Sequence, residues 1–277
     1  MKKALLAVSG LALIVTVSAC GSRPESGQAS PPASDTLFGN AQELVRAATA
    51  KTGQAQSAKF TLTETVGNEM VTAHGEGRFG TNAAMDLTMK VQGEEVEMRF
   101  VDKTFYIKVP PEQMEATGGK PWGRISADNE LGKVLGSLAN TAEQNDPAKI
   151  LDQIQQAGTI TKSEKTTLDG QPASHYWVDI DFAKAAASFA ESSGLPPEEL
   201  QKLAGNKIKT IPVELWLNQD SLPVQITEDI TPILKAAGGP EAGQSANIIM
   251  KYSDWGAPVD VQAPPADQVA DLDLGLN

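Results

Sequence analysis

The sequence is poor in cysteine, histidine, aromatic residues and basic residues. Its 277 residues include one cysteine and two histidines, aromatic residues make up 5%, and 23 Lys and Arg stand against 35 Asp and Glu. One cysteine cannot form an intrachain disulfide or a thiolate metal cluster. The net charge of −12 argues against nucleic acids and anionic membrane surfaces as partners. The shortage of aromatic rings argues against a stacking platform for single strands or polysaccharides.

Catalytic motifs are also missing from the sequence. It contains no Gly-x-Ser-x-Gly, no His-Glu-x-x-His and no glycine-rich phosphate loop before a predicted helix. His74 and His175 are far apart, each in a predicted strand, and are expected to be structural or exposed. Asp179 and Asp181 share one strand face, which would suit Ca²⁺ or acid–base chemistry, but a solvated strand explains them better. We therefore expect a protein that is not an enzyme and that has no catalytic residue, metal site or cofactor.

The chain begins with the features of an export signal, predicted over residues 1–19. Lys2 and Lys3 precede an uncharged apolar segment, Ala4–Val17, which is too short for a comfortable membrane span. The segment ends in Val17-Ser18-Ala19-Cys20, which resembles the bacterial lipobox. That resemblance implies cleavage before Cys20 and a diacylglyceryl anchor on its thiol, and two acyl chains give stable membrane attachment. The alternative is an ordinary secretory signal with a chance cysteine.

Residues 58–109 predict five β-strands in succession. Apolar and polar residues alternate in each, which is the pattern of a strand with one dry face and one wet face. Turn signals such as Gly67-Asn68 separate them, and connections this short require antiparallel pairing. The result is a meander whose apolar face another layer must cover. The predicted strands are Lys59–Val66, Glu69–Phe79, Ala83–Val91, Glu94–Val101 and Thr104–Val109.

Helices and further strands follow in blocks. Apolar residues at helical spacing predict helices over Leu37–Thr52, Leu131–Leu138, Pro147–Gly158, Phe182–Phe189 and Leu195–Gly205. Five more strands are predicted, over Thr159–Leu168, Ala173–Asp181, Lys207–Leu217, Leu222–Thr231 and Ala246–Ser253. Such blocks, without βαβ alternation, indicate an α+β fold. About ten antiparallel strands approach the limit of an open sheet, so we expect a strongly curved antiparallel sheet with helices packed on its concave face.

Several stretches resemble the LppX/LprG family of mycobacterial-type cell-envelope lipoproteins. They are the lipobox through Cys20 with the low-complexity segment after it, Val178–Asp181 before a predicted helix, Pro212–Leu217 with Leu222-Pro223-Val224 after a turn, and Tyr252–Val259 with Pro264 beyond it. The resemblance covers most of residues 37–265. It implies a half-open β-barrel with helices over its concave face, and an apolar cavity between them that holds the acyl chains of an envelope lipid or glycolipid.

The expected lining of that cavity is the apolar face of the meander together with one predicted helix. On residues alone the question stays open, because Met85, Met89 and Met98 suit a surface that repacks around varied guests, whereas a filled core has the same periodicity. With the resemblance, the expected lipid-binding residues are Phe60, Leu62, Met85, Leu87, Met89, Val96, Met98, Phe100, Phe105, Ile107, Leu131, Val134, Leu135 and Leu138.

The chain is expected to divide into a signal peptide, a tether, one folded domain and a tail. Residues 20–36 contain the lipidated cysteine and a flexible Ser-, Pro- and Gly-rich tether. Residues 37–265 form a single lipid-binding α+β domain, and residues 266–277 form a C-terminal tail.

The expected function is that of a non-enzymatic protein anchored to the extracytoplasmic face of the cell membrane in an actinobacterial-type envelope. It would carry or present an acylated lipid or glycolipid. It is expected to be monomeric, and a membrane transporter is a further candidate partner. The alternative is a signalling or scaffold lipoprotein with a filled core, which binds a protein partner on its surface. A cavity of several hundred Å³ between sheet and helices favours the carrier.

Overall fold

The fold is α+β, with one long β-sheet and helices packed against one of its faces. All described residues belong to one unit, Ala33–Asn277. The computed structural model describes residues 37–80, 82–91, 93–102, 104–125, 147–193, 208–238 and 243–272.

Twelve strands form a single open, curved sheet in the order β12-β6-β5-β4-β3-β2-β1-β11-β10-β9-β8-β7. Neighbouring strands are antiparallel except for β12 and β6, which are parallel. The strands are β1 (Ser57–Val66), β2 (Glu69–Arg78), β3 (Ala84–Val91), β4 (Glu94–Val101), β5 (Thr104–Lys108), β6 (Trp122–Ile125), β7 (Gly158–Leu168), β8 (Gln171–Asp181), β9 (Thr210–Leu217), β10 (Pro223–Asp229), β11 (Ala246–Ser253) and β12 (Val269–Asp271).

The strand count of about ten was wrong because the sequence analysis missed β6 and β12. Both are very short, with four and three residues, so neither shows a clear period of two. They pair with each other at the edge, where Val269 lies opposite Trp122. Residues 269–271, assigned to the C-terminal tail, thus form the outermost strand on that side. A short 3₁₀ helix, Pro111–Thr117, occupies the predicted loop between β5 and β6.

The predicted meander is confirmed in its order and its antiparallel pairing. Each of the strands β1 to β5 pairs antiparallel with the next one, and β6 continues the series. The Asp-Gly turn between β7 and β8 also has the predicted form, because Asp169 and Gly170 have φ angles of 50° and 80°. Two successive positive φ angles are what a two-residue hairpin turn of the tightest type requires.

Four helices are described: α1 (Ala41–Ala55), α2 (Pro147–Ala157), α3 (Phe182–Ser193) and α4 (Thr231–Ala237). The side chain of Asn40 accepts a hydrogen bond from Glu43 N at 2.9 Å and so caps α1. Pro147 opens α2, where its missing N–H removes no helical hydrogen bond. The sequence analysis did not predict α4; it continued a strand through Thr231, whereas β10 ends at Asp229.

The core lies between the helices and one face of the sheet, which we call the inner face. Helices α1, α2 and α3 bury their apolar sides against strand residues of β8 and β9. Ile180, Ile211 and Leu215 are fully buried there. The predicted helices over Leu131–Leu138 and Leu195–Gly205 lie outside the described residues. Among the described residues, no helix combines the length and the apolar character needed to cross a bilayer.

Candidate functional site

The predicted lining residues of the meander share the inner face and form continuous cross-strand rows. Met85 of β3 lies opposite Phe100 of β4, and Phe100 lies opposite Phe105 of β5. The Phe100 and Phe105 rings are 4.8 Å apart between centroids. A second row joins Leu87, Met98 and Ile107, and a third joins Leu62, Met89 and Val96 through Ala73. Strands with this register therefore place the ten described residues of the predicted set on one apolar surface.

Part of that surface remains accessible to solvent. Phe60, Met85 and Phe100 are buried, with exposed fractions of 4%, 5% and 8%. The other seven members of the set are only partly buried: Leu62, Leu87, Met89, Val96, Met98, Phe105 and Ile107. Apolar side chains that lie side by side and stay partly accessible make this surface a candidate binding site.

The described helices pack mainly on the other half of the sheet. Helices α1, α2 and α3 contact β7 and β8 and one another, and α4 contacts β11. The predicted lid residues Leu131, Val134, Leu135 and Leu138 lie outside the described residues. The apolar surface of β3 to β5 is therefore the part of the inner face that the described helices cover least.

Gly75 of β2 gives Phe60 the space it occupies on the inner face. The two residues are cross-strand partners, and a Cβ on Gly75 would lie against the Phe60 ring and the carbonyl of Asp86. Only glycine permits such a close approach of the ring to the neighbouring backbone. Phe60 can therefore fold over β2 at one end of the apolar surface.

The outer face of the same strands is charged, as the alternation predicts. Arg99 Nε donates to Asp86 Oδ2 at 2.9 Å, and Lys108 Nζ donates to Glu97 Oε2 at 2.6 Å. The Arg99 guanidinium also lies 4.6 Å from the centroid of the Trp122 ring. A wet outer face fixes the direction of the apolar side chains, because a one-residue slip would bury these charges.

Glu228 is a functional candidate that the sequence analysis missed. It lies on the inner face, two residues after the buried Ile226 and opposite Ile248 of β11. Glu64 of β1 faces Ile248 from the other side. Burial raises the pKa of Glu228 to about 7, although part of its side chain remains accessible to water. Apolar neighbours such as Ile248 disfavour the charged carboxylate and account for the raised pKa.

His175 lies in an aromatic stack on the outer face, which the sequence analysis did not foresee. Its ring stacks on Trp216 and Trp177, with centroid distances of 3.8 and 3.5 Å. Its Nε2 donates to Glu214 Oε2 at 2.7 Å, and Lys162 Nζ lies 3.9 Å from the Trp177 ring centroid. Burial lowers the pKa of His175, against the opposing effect of Glu214. The histidine is structural, as expected, but not isolated.

The stack should make tryptophan fluorescence depend on pH. A protonated imidazole quenches a stacked indole, so emission should fall as His175 takes up a proton, with a midpoint below the usual 6.5. His175→Gln should remove this transition, and His74→Gln, which changes an exposed residue, should leave it in place. A transition that persists in His175→Gln would contradict the assignment.

Asp181, one of the two aspartates considered for metal binding, has a local role at a helix start. Asp181 Oδ1 accepts a hydrogen bond from Lys184 N at 3.2 Å at the start of α3, and this bond is the main cause that lowers the pKa of Asp181. Within the ranges that the structure describes, no three His, Cys, Asp or Glu side chains come together as a metal site.

A separate cleft of about 420 Å³ lies beside β1 and β11, away from the β3–β5 part of the inner face. Its walls include the β7–β8 hairpin and the ends of β1 and β11. Of the predicted lining residues, only Phe60 borders it. The expected location of a cavity, between sheet and helices, is therefore not the location of this cleft.

The chain is similar in structure to several solved proteins. LprF from Mycobacterium bovis matches 81% of this chain and 96% of its own, with 18% identity and a TM-score of 0.46. MucB in the MucA/MucB complex of Pseudomonas aeruginosa matches 82% of this chain, with 14% identity and a TM-score of 0.35. This chain covers 59% of the length of that MucB chain.

These similarities concern the fold alone. No protein-family model matches the sequence, and no curated protein sequence matches it.

Proposed function

We propose that this chain is a non-enzymatic envelope lipoprotein that binds an acylated lipid or glycolipid on the apolar inner face of β1 to β5 and carries or presents it. Cys20 would carry the diacylglyceryl anchor and hold the domain at the extracytoplasmic face of the membrane. Residues 20–36 would act as the tether. Binding of acyl chains needs no cofactor, because each methylene group that leaves water contributes about 0.8 kcal/mol.

The observation that carries this proposal is the accessibility of the inner face. Seven of the ten described residues of the predicted lining are only partly buried, although all point to the core side of the sheet. Acyl chains would complete the burial of these side chains. Leu131, Val134, Leu135 and Leu138 would close over the chains as a lid.

A second candidate function is the binding of a protein partner. It is favoured by Met70 and Val71 at the β1–β2 hairpin, which are 66% and 40% exposed. Such a pair of exposed apolar residues suits a small contact with another protein. We prefer the lipid because the inner face presents seven partly accessible apolar residues in continuous rows, against two at the hairpin.

The test is to identify what co-purifies with the protein. A Cys20→Ala variant, which cannot be acylated, would be purified without detergent and extracted for lipid mass spectrometry. We expect about one acylated lipid per chain, and uptake of a diacyl lipid from vesicles when the protein is delipidated. Protein that carries no lipid and takes none up would overturn the carrier function and favour the protein partner.

Neighbouring substitutions on opposite faces of β3 provide the control. Met89→Glu would place a charge on the inner face and should abolish lipid uptake, because a charge in an apolar site is strongly unfavourable. Thr88→Glu would place the same charge on the outer face, since Thr88 lies opposite Glu97, and should leave uptake unchanged. Equal uptake by the two variants would locate the lipid elsewhere.

A further inference from the structure

The 420 Å³ cleft lies where β10 and β11 separate. Strand β11 pairs with β10 as far as Lys251, which lies opposite Gln225, and Tyr252 then continues beside β1. The ladder of β10 with β9 is irregular at Val224, one residue before Gln225. Val224 and Tyr252 both border the cleft.

The walls of the cleft are mainly apolar. Leu168, Pro172 and Ala173 of the β7–β8 hairpin form one side, and the buried residues Phe60 and Tyr252 border the opposite side. The volume is within the range of about 300–1,000 Å³ that is typical of small-molecule sites. The cleft therefore has the size and the lining to hold an alkyl chain.

A cation lies at the rim of the cleft. Lys251 Nζ pairs with Asp169 Oδ2 at 2.9 Å, and both side chains are well exposed, at 45% and 71%. Exposed pairs of this kind are weak, so the carboxylate of a ligand can replace that of Asp169. Asn218 also borders the cleft; its Oδ1 accepts from Asp220 N and Leu222 N, which leaves its amide NH₂ as a donor.

We propose that this cleft is a second ligand site, which takes the single alkyl chain of a fatty acid and holds its carboxylate at Lys251. The alkyl chain lies along Leu168 and Val224 toward Phe60, and Asp169 gives up its place on the ammonium. The site does not depend on the lipid proposed for the inner face, because the two share only Phe60.

Photo-crosslinking locates the ligand directly. The purified full-length protein would be irradiated with a fatty acid that carries a diazirine near its methyl end, and the labelled peptides would be mapped by mass spectrometry. We expect labelling of Phe60, Thr61 or Tyr252, which line the end of the cleft toward which the alkyl chain runs. Labelling confined to β3, β4 and β5 would overturn the proposal.

Two pairs of variants test separately where the alkyl chain binds and where the carboxylate binds. Thr61→Trp would fill the cleft and should weaken dodecanoate binding about ten-fold or more, whereas Thr63→Trp, two residues along β1 and outside the cleft, should not. Lys251→Ala should weaken dodecanoate about two- to five-fold and leave dodecanol unchanged. Lys59→Ala removes the same charge from a neighbouring position outside the cleft and should leave both unchanged.

A comparison of ligands and variants separates this site from the inner face. Each methylene added to the fatty acid should tighten binding by up to about four-fold, and Met89→Glu should not alter that series. If Met89→Glu abolishes dodecanoate binding and Thr61→Trp does not, the cleft is not the site, while the inner-face proposal stands. If Thr61→Trp abolishes dodecanoate binding and Met89→Glu does not, the cleft binds the fatty acid, whether or not the inner face binds a lipid.

Discussion

Replacing Ile211 with alanine should lower the free energy of unfolding by about 3–4 kcal/mol, whereas Ile107→Ala should lower it by about 1 kcal/mol. The two changes remove the same atoms from the same face of one sheet. Ile211 of β9 is fully buried under the helices, so its loss leaves a cavity. Ile107 of β5 is partly accessible, so water already reaches the atoms that are lost.

Urea unfolding followed by circular dichroism measures this contrast, with the midpoint and slope fitted for each variant. When lipid is bound, Ile107→Ala should lower the free energy of unfolding further, because it would also weaken a contact with the ligand. Ile211→Ala would not weaken such a contact. Equal losses in the lipid-free protein would mean that the β3–β5 half of the inner face is packed like the β8–β9 half. That result would contradict the accessible surface on which the lipid proposal rests.

Replacing Glu228 with glutamine should stabilise the protein above neutral pH. Burial raises the pKa of Glu228 to about 7 from its ordinary 4.5, so the folded protein binds a proton that the unfolded chain releases. Stability contributed by this group is full below pH 4.5 and falls as the pH rises through 7. Glutamine stays neutral and avoids this loss.

The gain in Glu228→Gln is at most about 3 kcal/mol, and we expect less, because water reaches part of the side chain. Urea unfolding at pH 4.5 and pH 8 should show almost no gain at the lower pH and the full gain at the higher pH. Asp220→Asn, which removes an exposed charge from the nearby β9–β10 turn, should change stability by less than about 0.5 kcal/mol. A gain that is the same at both pH values would contradict the raised pKa.

The parts of the fold that rest on local pattern could be predicted from the sequence. The meander follows from period-two alternation and short turns, and helix α2 from Pro147 and Gly158 at its two ends. Strands β6 and β12 could not, since three or four residues give no periodicity and their pairing joins distant parts of the chain. Helix α4 was missed because Pro232 was not read as the start of a helix after β10.

The candidate sites likewise contain residues that the sequence predicts and residues that it does not. The lining residues of β1 to β5 follow from alternation, which places them on one face. Alternation from Ile226 places Glu228 on the inner face, but a charged residue near the end of a strand does not show in the sequence that its neighbours bury it. The His175 stack depends on the register of β8 with β9, which brings Trp216 opposite His175. The cleft depends on where β10 and β11 part, which is likewise a property of the register.

The pairing of β1 with β11 has a consequence for the order of folding. Lys59 lies opposite Ser253, so a strand near the beginning of the domain joins one made near the end. Each half of the sheet, β1 to β6 and β7 to β10, consists largely of hairpins between sequence neighbours and can assemble early. The halves can merge only after β11 has left the ribosome, which makes the joining of β1 to β11 a late and slow step.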